Sequence, residues 1–427
     1  MIQTILALPI LLIYFIVTNP GEDASRQINV NWHCSEPGSC MLLMKDYETI
    51  AVKAEEKLWS YSKGDSLFQQ QRYVCSVSLD NLEPGIEYRY RVIAGKDTSD
   101  VRSFTTASGS RSWNFLAFAD FQHAFNEQAH KIIAKGMEFS AGLNAGTGSG
   151  RTKAGKAVSG SQAESAPLVI CSGDMIDTAA NEESWRWILG TPLFGRFIYA
   201  VAPGDHEFWG IRPEGEKHIP QMETPATYNA IFNNPKNGVE VYRNSSYYFY
   251  YNNVLFVALT LGDSNTFLCG NFILEAEWFR KTILPLKGSY DYLVVFGHKS
   301  VFGSYKEDRG VRKYLSPIWY PVFTEAGVDL VVSGHDHMYS RTYPLENDSV
   351  SSTGDGTFYL DLGSSGNKYR EPDEGLYSDG LHAKVLNLKA EPQTLGASVS
   401  VDRKRMEVRV FNLDGEVVDS FVVPRKR

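Results

Sequence analysis

The first residues of the chain form one apolar run, residues 5–17, interrupted only by Pro9. Its 13 residues suit the core of a secretory signal better than the roughly 20 needed to span a bilayer. No Lys or Arg precedes the run and no clean small-x-small cleavage site follows it, so an uncleaved anchor competes with a cleaved signal over residues 1–20. From about Gln27 to Thr106 the pattern changes to period-two alternation broken by turn residues every ten or so positions. Gln27-Ile-Asn-Val-Asn-Trp32, Arg72-Tyr-Val-Cys-Ser-Val-Ser-Leu79, Tyr88-Arg-Tyr-Arg-Val-Ile93 and Val101-Arg-Ser-Phe-Thr-Thr106 each place alternate residues on opposite faces. Strands at this spacing predict an all-β sandwich over residues 27–107.

Within that sandwich, Leu82-Glu-Pro-Gly-Ile-Glu-Tyr88 resembles the tyrosine corner of a fibronectin type III-like domain, where the phenol bonds back to the preceding turn. The stretch shows no catalytic constellation, and its His33 reads as structural. After Arg111 short apolar runs alternate with longer helical segments, which predicts an α/β layered domain over residues 112–427. A Gly, Ser, Ala and Lys-rich stretch at about 140–166 lacks apolar periodicity and reads as a surface insertion.

The apolar runs of this second part all end on polar clusters. Trp113-Asn-Phe-Leu-Ala-Phe-Ala119 leads into Asp120-Phe-Gln122; Pro167-Leu-Val-Ile-Cys171 into Ser-Gly173-Asp174-Met-Ile-Asp177; Phe197-Ile-Tyr-Ala-Val201 into Pro203-Gly204-Asp205-His206-Glu207. Tyr292-Leu-Val-Val-Phe296 precedes Gly297-His298, and Gly327-Val-Asp-Leu-Val-Val332 precedes Ser333-Gly334-His335-Asp336-His337. Open α/β sheets keep their sites at strand ends. Gly permits a sharp turn and close approach, while carboxylate, amide oxygen and imidazole suit divalent first-row metals.

Composition narrows the partners. The 427 residues, 43% hydrophobic and 22% charged, describe an ordinary globular chain long enough for two domains. A net charge of -8, from 42 basic and 50 acidic residues with no long basic run, argues against a nucleic-acid surface and against polybasic membrane attachment. Membrane association then rests on the N-terminal segment remaining as an anchor. Of five cysteines, Cys34, Cys40 and Cys75 admit a disulfide among themselves, whereas Cys171 reads as a small buried hydrophobe and Cys269 lies beside an apolar run. Sequons at Asn244-Ser-Ser246 and Asn347-Asp-Ser349 fit a secreted or lysosomal destination.

The ordered series Asp120-x-Gln122, Gly173-Asp174-x-x-Asp177, Gly204-Asp205-His206-Glu207, Gly297-His298 and Gly334-His335-x-His337 resembles the calcineurin-like metallophosphoesterase superfamily. The preceding sandwich and Ser340-Arg-Thr-Tyr-Pro344 make it similar to the purple acid phosphatase branch. The resemblance implies a fold of N-terminal sandwich plus α/β metallophosphoesterase domain. It also implies two metal ions, Asp120, Gln122, Asp174 and His337 holding one, with Asp174 shared and Asp205, His298 and His335 holding the other. Its nucleophile is a metal-bound hydroxide, and its residue contacting phosphate and the leaving oxygen is His206. The implied activity is hydrolysis of a phosphate ester, most simply a monoester. A phosphodiesterase or nucleotide pyrophosphatase, and a secreted binding protein on the same scaffold, are the alternatives.

Three positions depart from the purple pattern. Asp177 stands where the family has the iron-binding tyrosine, which predicts a colourless protein. Gln122 supplies a neutral amide at the first metal, so two divalent ions (Mn, Zn or Fe) are expected in place of a ferric pair. Asp205 replaces an Asn and adds a charge expected to tighten metal binding while repelling an anionic substrate, so that Asp205→Asn is expected to raise turnover. Phe208, Trp209, Tyr339 and Tyr343 are candidate pocket walls. Lys299 is a candidate phosphate contact or a solvated side chain, and Gly363-Ser-Ser-Gly-Asn367 resembles a glycine-rich segment that closes the site in relatives.

Overall fold

The computed structural model describes residues 13–45, 48–59, 72–122, 126–146, 168–179, 181–190, 192–209, 225–261, 271–306 and 309–426. The N-terminal part is a sandwich of antiparallel strands. One sheet has the order Ile13–Pro20, Ile28–Cys34, Arg72–Leu79, Glu55–Trp59; the other runs Glu48–Lys53, Cys40–Lys45, Glu87–Ala94, Asp97–Thr98, with Arg102–Thr105 also on Glu87–Ala94. Trp32, Tyr90, Val92 and Phe104 fill its core, as the alternation predicts. The backbone amide of Glu83 donates to Tyr88 Oη at 2.9 Å, so the tyrosine corner is present.

The start of this domain differs from expectation. Ile13–Pro20 is a strand paired with Ile28–Cys34, from Ile13 opposite Cys34 to Pro20 opposite Ile28. The sandwich thus begins inside the segment assigned to a leader, and not at residue 27; residues 1–12 lie outside the described residues. The physical reason is burial on both faces. Ile16 packs into the sandwich core while Tyr14, Phe15 and Val17 pack against the second domain, so the strand carries a continuous apolar run without alternation.

The second domain stacks two mixed sheets. One has the order Ile198–Val201, Leu168–Cys171, Trp113–Phe118, Leu395–Val401, Arg405–Asn412, Val417–Pro424; the other runs Tyr247–Tyr251, Val254–Leu259, Tyr292–Gly297, Leu330–Ser333, Phe358–Asp361, Tyr339–Thr342, His382–Leu386. Phe115, Ala117 and Ile170 meet Phe256, Val294 and Val332 between the sheets. Ile132 and Trp185 from the helices Glu127–Gly146 and Glu182–Leu189 cover one outer face. Phe272 and Trp319, from Asn271–Trp278 and Ser316–Ala326, cover the other. Strands sandwiched this way are buried on both sides, which is why they read as unbroken apolar runs. The helix reaching Gly146 enters the expected insertion, of which 147–167 lie outside the described residues.

Two secretory markers separate. Asn244 is buried, and its Nδ2 donates to Asn229 Oδ1 and the Phe232 carbonyl, so the folded chain closes this sequon; Asn347 is exposed. Cys34 Sγ lies 3.0 Å from Cys75 Sγ, in contact but not bonded, and Cys40 is likewise a free thiol. Cys171 is buried within its strand, and Cys269 lies outside the described residues. Among the described residues no helix is long and apolar enough to cross a membrane.

His33 joins the two domains. Its Nε2 lies 2.7 Å from the Ala230 carbonyl, and burial lowers its pKa to about 3. A depressed folded-state pKa contributes stability that is present above the unfolded value of 6.5 and lost as pH falls toward the folded value. The expected slope is roughly 1.4 kcal/mol per pH unit across that window. His33→Gln, which keeps a donor to Ala230, should flatten it. Urea midpoints at pH 7 and pH 4.5 measure this, and equal pH sensitivity in both proteins would rule it out.

Candidate metal centre

The loops that leave the parallel strands converge at one end of the stacked sheets. Four of their side chains sit on residues with left-handed backbone: Asp120 (φ 56°), Asp174 (φ 52°), His335 (φ 75°) and His337 (φ 51°). For a non-glycine residue this conformation costs roughly 1–2 kcal/mol, and such strain concentrates at functional sites. Close packing holds it in place. A Cβ on Gly204 would meet Asp174 Oδ1 at 2.3 Å, and one on Gly334 would meet Asp120 Oδ2 at 2.1 Å; these two glycines therefore make room for the neighbouring loop's carboxylate.

Two ligand sets result. Asp120, Asp174 and His337 bring one donor atom each within 4.8 Å of one another, and Asp205, His298 and His335 do the same. Asp174 touches both sets: its Oδ2 lies 3.1 Å from His298 Nε2 and accepts from Gln122 Nε2 at 2.8 Å. Gln122 Nε2 is also 3.1 Å from His337 Nε2, which itself is 3.5 Å from Asp120 Oδ1. His335 Nδ1 faces His298 Nε2 at 3.3 Å and Asp205 Oδ2 at 3.4 Å. All seven residues expected to hold metal are thus gathered, with Gln122 turning its Nε2 to Asp174 and His337 and its Oε1 to Lys368.

The chemistry of this donor set fits two cations. Three carboxylates are buried together, where their like charges are weakly screened. Burial and neighbouring Asp174 push Asp120 up to about 7. Burial alone would depress His298, yet Asp174, Asp120 and Asp205 hold it at about 10. Asp205 Oδ1 and His337 Nδ1 are buried without a hydrogen-bond partner among the described residues. The ligands are also oriented from behind. His298 Nδ1 lies 2.9 Å from the Ser172 carbonyl, leaving Nε2 toward the centre, the arrangement by which metal-binding histidines are fixed.

His206 stands at the edge. Its Nδ1 lies 2.5 Å from the Asp177 carbonyl, its ring packs on Trp209 at 3.8 Å, and its Nε2 is 3.7 Å from Asp174 Oδ2. Burial holds its pKa below the usual imidazole range. Asp177 thus serves through its backbone carbonyl. Of the candidate pocket walls, Trp209 meets a site residue, Phe208 is buried, Tyr339 is buried with its hydroxyl on Asp419 at 2.7 Å, and Tyr343 is 46% exposed.

Several supporting residues escaped the sequence. Glu207, a capping residue by pattern, is fully buried and accepts from the backbone amides of Gly204 (2.6 Å), Asp174 (2.9 Å) and Met175 (2.9 Å), tying two ligand loops together. Asp336 turns away from the centre to accept from the amides of Ser304 and Tyr305 at 2.6 and 3.1 Å. The Gly363–Asn367 stretch lies behind the first ligand loop, with Ser365 N donating to the Ala119 carbonyl at 2.8 Å. It leads to Lys368, whose Nζ donates to Gln122 Oε1 at 3.2 Å. Lys299 is neither solvated nor aimed at open space: it is 8% exposed, and its Nζ lies 3.1 Å from Asp205 Oδ2. The uncompensated charge expected at Asp205 is therefore not there.

Comparison with known proteins agrees with this geometry. Residues 14–106 match the purple acid phosphatase N-terminal domain, and residues 143–339 match the calcineurin-like phosphoesterase domain. Two uncharacterised Mycobacterium tuberculosis proteins, from the CDC 1551 / Oshkosh and ATCC 25618 / H37Rv strains, are 23% identical over 380 residues, 81% of this chain and 68% of theirs. The purple acid phosphatase PPD1 of yellow lupin (Lupinus luteus) seeds superposes with a TM-score of 0.71 at 14% identity, covering 97% of this chain and 74% of that one. PhoD superposes at 0.56 and 12% identity, covering 96% and 89%. These likenesses show a shared fold.

Proposed function

For a chain that joins a purple acid phosphatase N-terminal domain to a calcineurin-like phosphoesterase domain, we propose metal-dependent hydrolysis of phosphate monoesters, of acid phosphatase type. One observation carries the reading: two ligand sets meet at Asp174 with His206 at their edge. Asp120, Gln122, Asp174 and His337 would hold one divalent ion (Mn, Zn or Fe), and Asp174, Asp205, His298 and His335 the other. When bound, the pair supplies a hydroxide at mild pH and screens the phosphate's charge.

The chain's own residues do the rest. His206 is placed to contact the phosphate and to pass a proton to the leaving oxygen. Because burial lowers its pKa, the proton-donating form is an acid-pH species, which supports the acid type. Lys368 adds a positive charge beside Gln122 where an anionic ester would arrive. The juxtaposed Cys34 and Cys75 and the exposed sequon at Asn347 support a secretory setting.

Metal-replete protein assayed with p-nitrophenyl phosphate and bis-p-nitrophenyl phosphate across pH 4 to 8 tests the proposal. Faster turnover of the monoester, with an acid optimum, is expected. Preference for the diester would move the assignment to phosphodiesterase. Turnover of neither would leave the scaffold without the proposed chemistry.

A further inference from the structure

Gln122 and Lys368 come from distant parts of the chain. Gln122 lies in the loop after the strand Trp113–Phe118, and Lys368 follows the glycine-rich stretch after Phe358–Asp361. The amide is buried. Its Nε2 donates to Asp174 Oδ2 at 2.8 Å and lies 3.1 Å from His337 Nε2, while its Oε1 accepts from Lys368 Nζ at 3.2 Å. A lysine ammonium has three donors and no acceptor, so the amide oxygen is the atom that must face it. Turning the amide over would set its NH2 against the ammonium and, with Asp174 in place, its oxygen against a carboxylate. Lys368 thus fixes which way Gln122 points.

That orientation bears on the first ligand set. The Gln122 nitrogen engages lone pairs of Asp174 and His337, two of the three residues whose donor atoms converge there with Asp120. A cation at this position needs the same lone pairs, and it takes an amide through oxygen, not through nitrogen. A half turn of the amide would free both acceptors and bring Oε1 in beside them, and it would leave Lys368 facing NH2. Lys368 is half-buried, and burial and Arg370 hold its pKa below the usual lysine value against the pull of Asp174, Asp120 and Asp177. An ammonium so placed takes another anionic oxygen when its acceptor turns away. We propose that Lys368 and the first metal ion use Gln122 Oε1 in turn, so that uptake of the ion turns the amide and passes Lys368 to the phosphate of the arriving ester. The inference rests on the two-metal reading above. It goes beyond that reading by making phosphate binding depend on the first ion through a side chain and not through charge alone.

A double-mutant cycle separates this exchange from plain charge. Mn(II) affinity is read by competition with a chelating dye, and inorganic phosphate affinity by calorimetry at saturating Mn(II). Lys368→Met should bind one of its Mn(II) ions about 10-fold more tightly than the parent, because Oε1 has lost its other partner. In a Gln122→Ala background the same change should move Mn(II) affinity by less than about threefold, because no amide is left to contest. At saturating Mn(II), Lys368→Met should bind phosphate roughly 10-fold more weakly than the parent. Gln122→Ala, whose lysine is already released, should stay within about threefold of the parent in phosphate affinity. Lys368→Ala gives the same readings if the methionine variant does not fold. An equal gain in Mn(II) affinity with and without Gln122 would reduce Lys368 to a nearby charge. No gain, or an unchanged phosphate affinity in Lys368→Met, would mean that the lysine keeps its place. Each of these results overturns the exchange and leaves the two-metal reading standing, whereas a parent protein that takes up no Mn(II) would overturn both.

Discussion

Asp174→Asn is expected to empty both halves of the metal centre and to lower turnover of p-nitrophenyl phosphate by about 10⁴-fold, the scale on which a shared ligand of a two-metal site matters. The expectation follows from position. Asp174 is 2% exposed, and its Oδ2 is in reach of His298, Gln122 and His206, one residue from each ligand set and one from the site's edge. Its Oδ1 accepts the His206 amide at 2.9 Å. Asn tolerates the left-handed backbone found there, so the substitution keeps the turn and removes only the charge. Metal-free, the variant should unfold more easily than the parent, because buried His298, held at about 10 chiefly by Asp174, loses that partner at 3.1 Å. Metal analysis after dialysis is the readout, and retention of both ions would refute the shared role.

His206→Asn is expected to leave metal content unchanged and to lower kcat by about 10²- to 10³-fold, the range for loss of a positioned general acid. The imidazole is held at the edge of the ligand sets by the Asp177 carbonyl and the Trp209 ring. A proton donor matters more for a poor leaving group. The loss should therefore be larger with an alkyl phosphate than with p-nitrophenyl phosphate, and the variant should lose the fall in activity that deprotonation of His206 imposes on the acid side of the ordinary imidazole range. Equal losses on both substrates would assign His206 to phosphate binding alone.

The parts of this molecule that read clearly from sequence are those whose signal is local. Strands Arg72–Leu79 and Trp113–Phe118 declare themselves by alternation or by an unbroken apolar run, and the ligands sit immediately after such runs. Ile13–Pro20 misled because a strand buried on both faces and the core of a secretory signal share one composition. Lys299, Glu207 and Lys368 were not legible for another reason. Each is an ordinary charged residue whose meaning depends on a partner in another loop: Lys299 on Asp205, Glu207 on the Asp174 and Met175 amides, Lys368 on Gln122. Left-handed backbone at Asp120, Asp174, His335 and His337 was equally invisible, although it is the clearest structural mark of the site.

The central claim is that His335 and His337, two residues apart in the chain, serve different ions across Asp174. Metal content of the parent, His335→Ala and His337→Ala, each equilibrated with Mn(II) and counted per chain, tests it most directly. Two ions in the parent and about one in each variant, with the double substitution retaining none, is the predicted result by the ligand sets above. Loss of the same single ion in both variants, or a parent that holds no ion, would contradict the account.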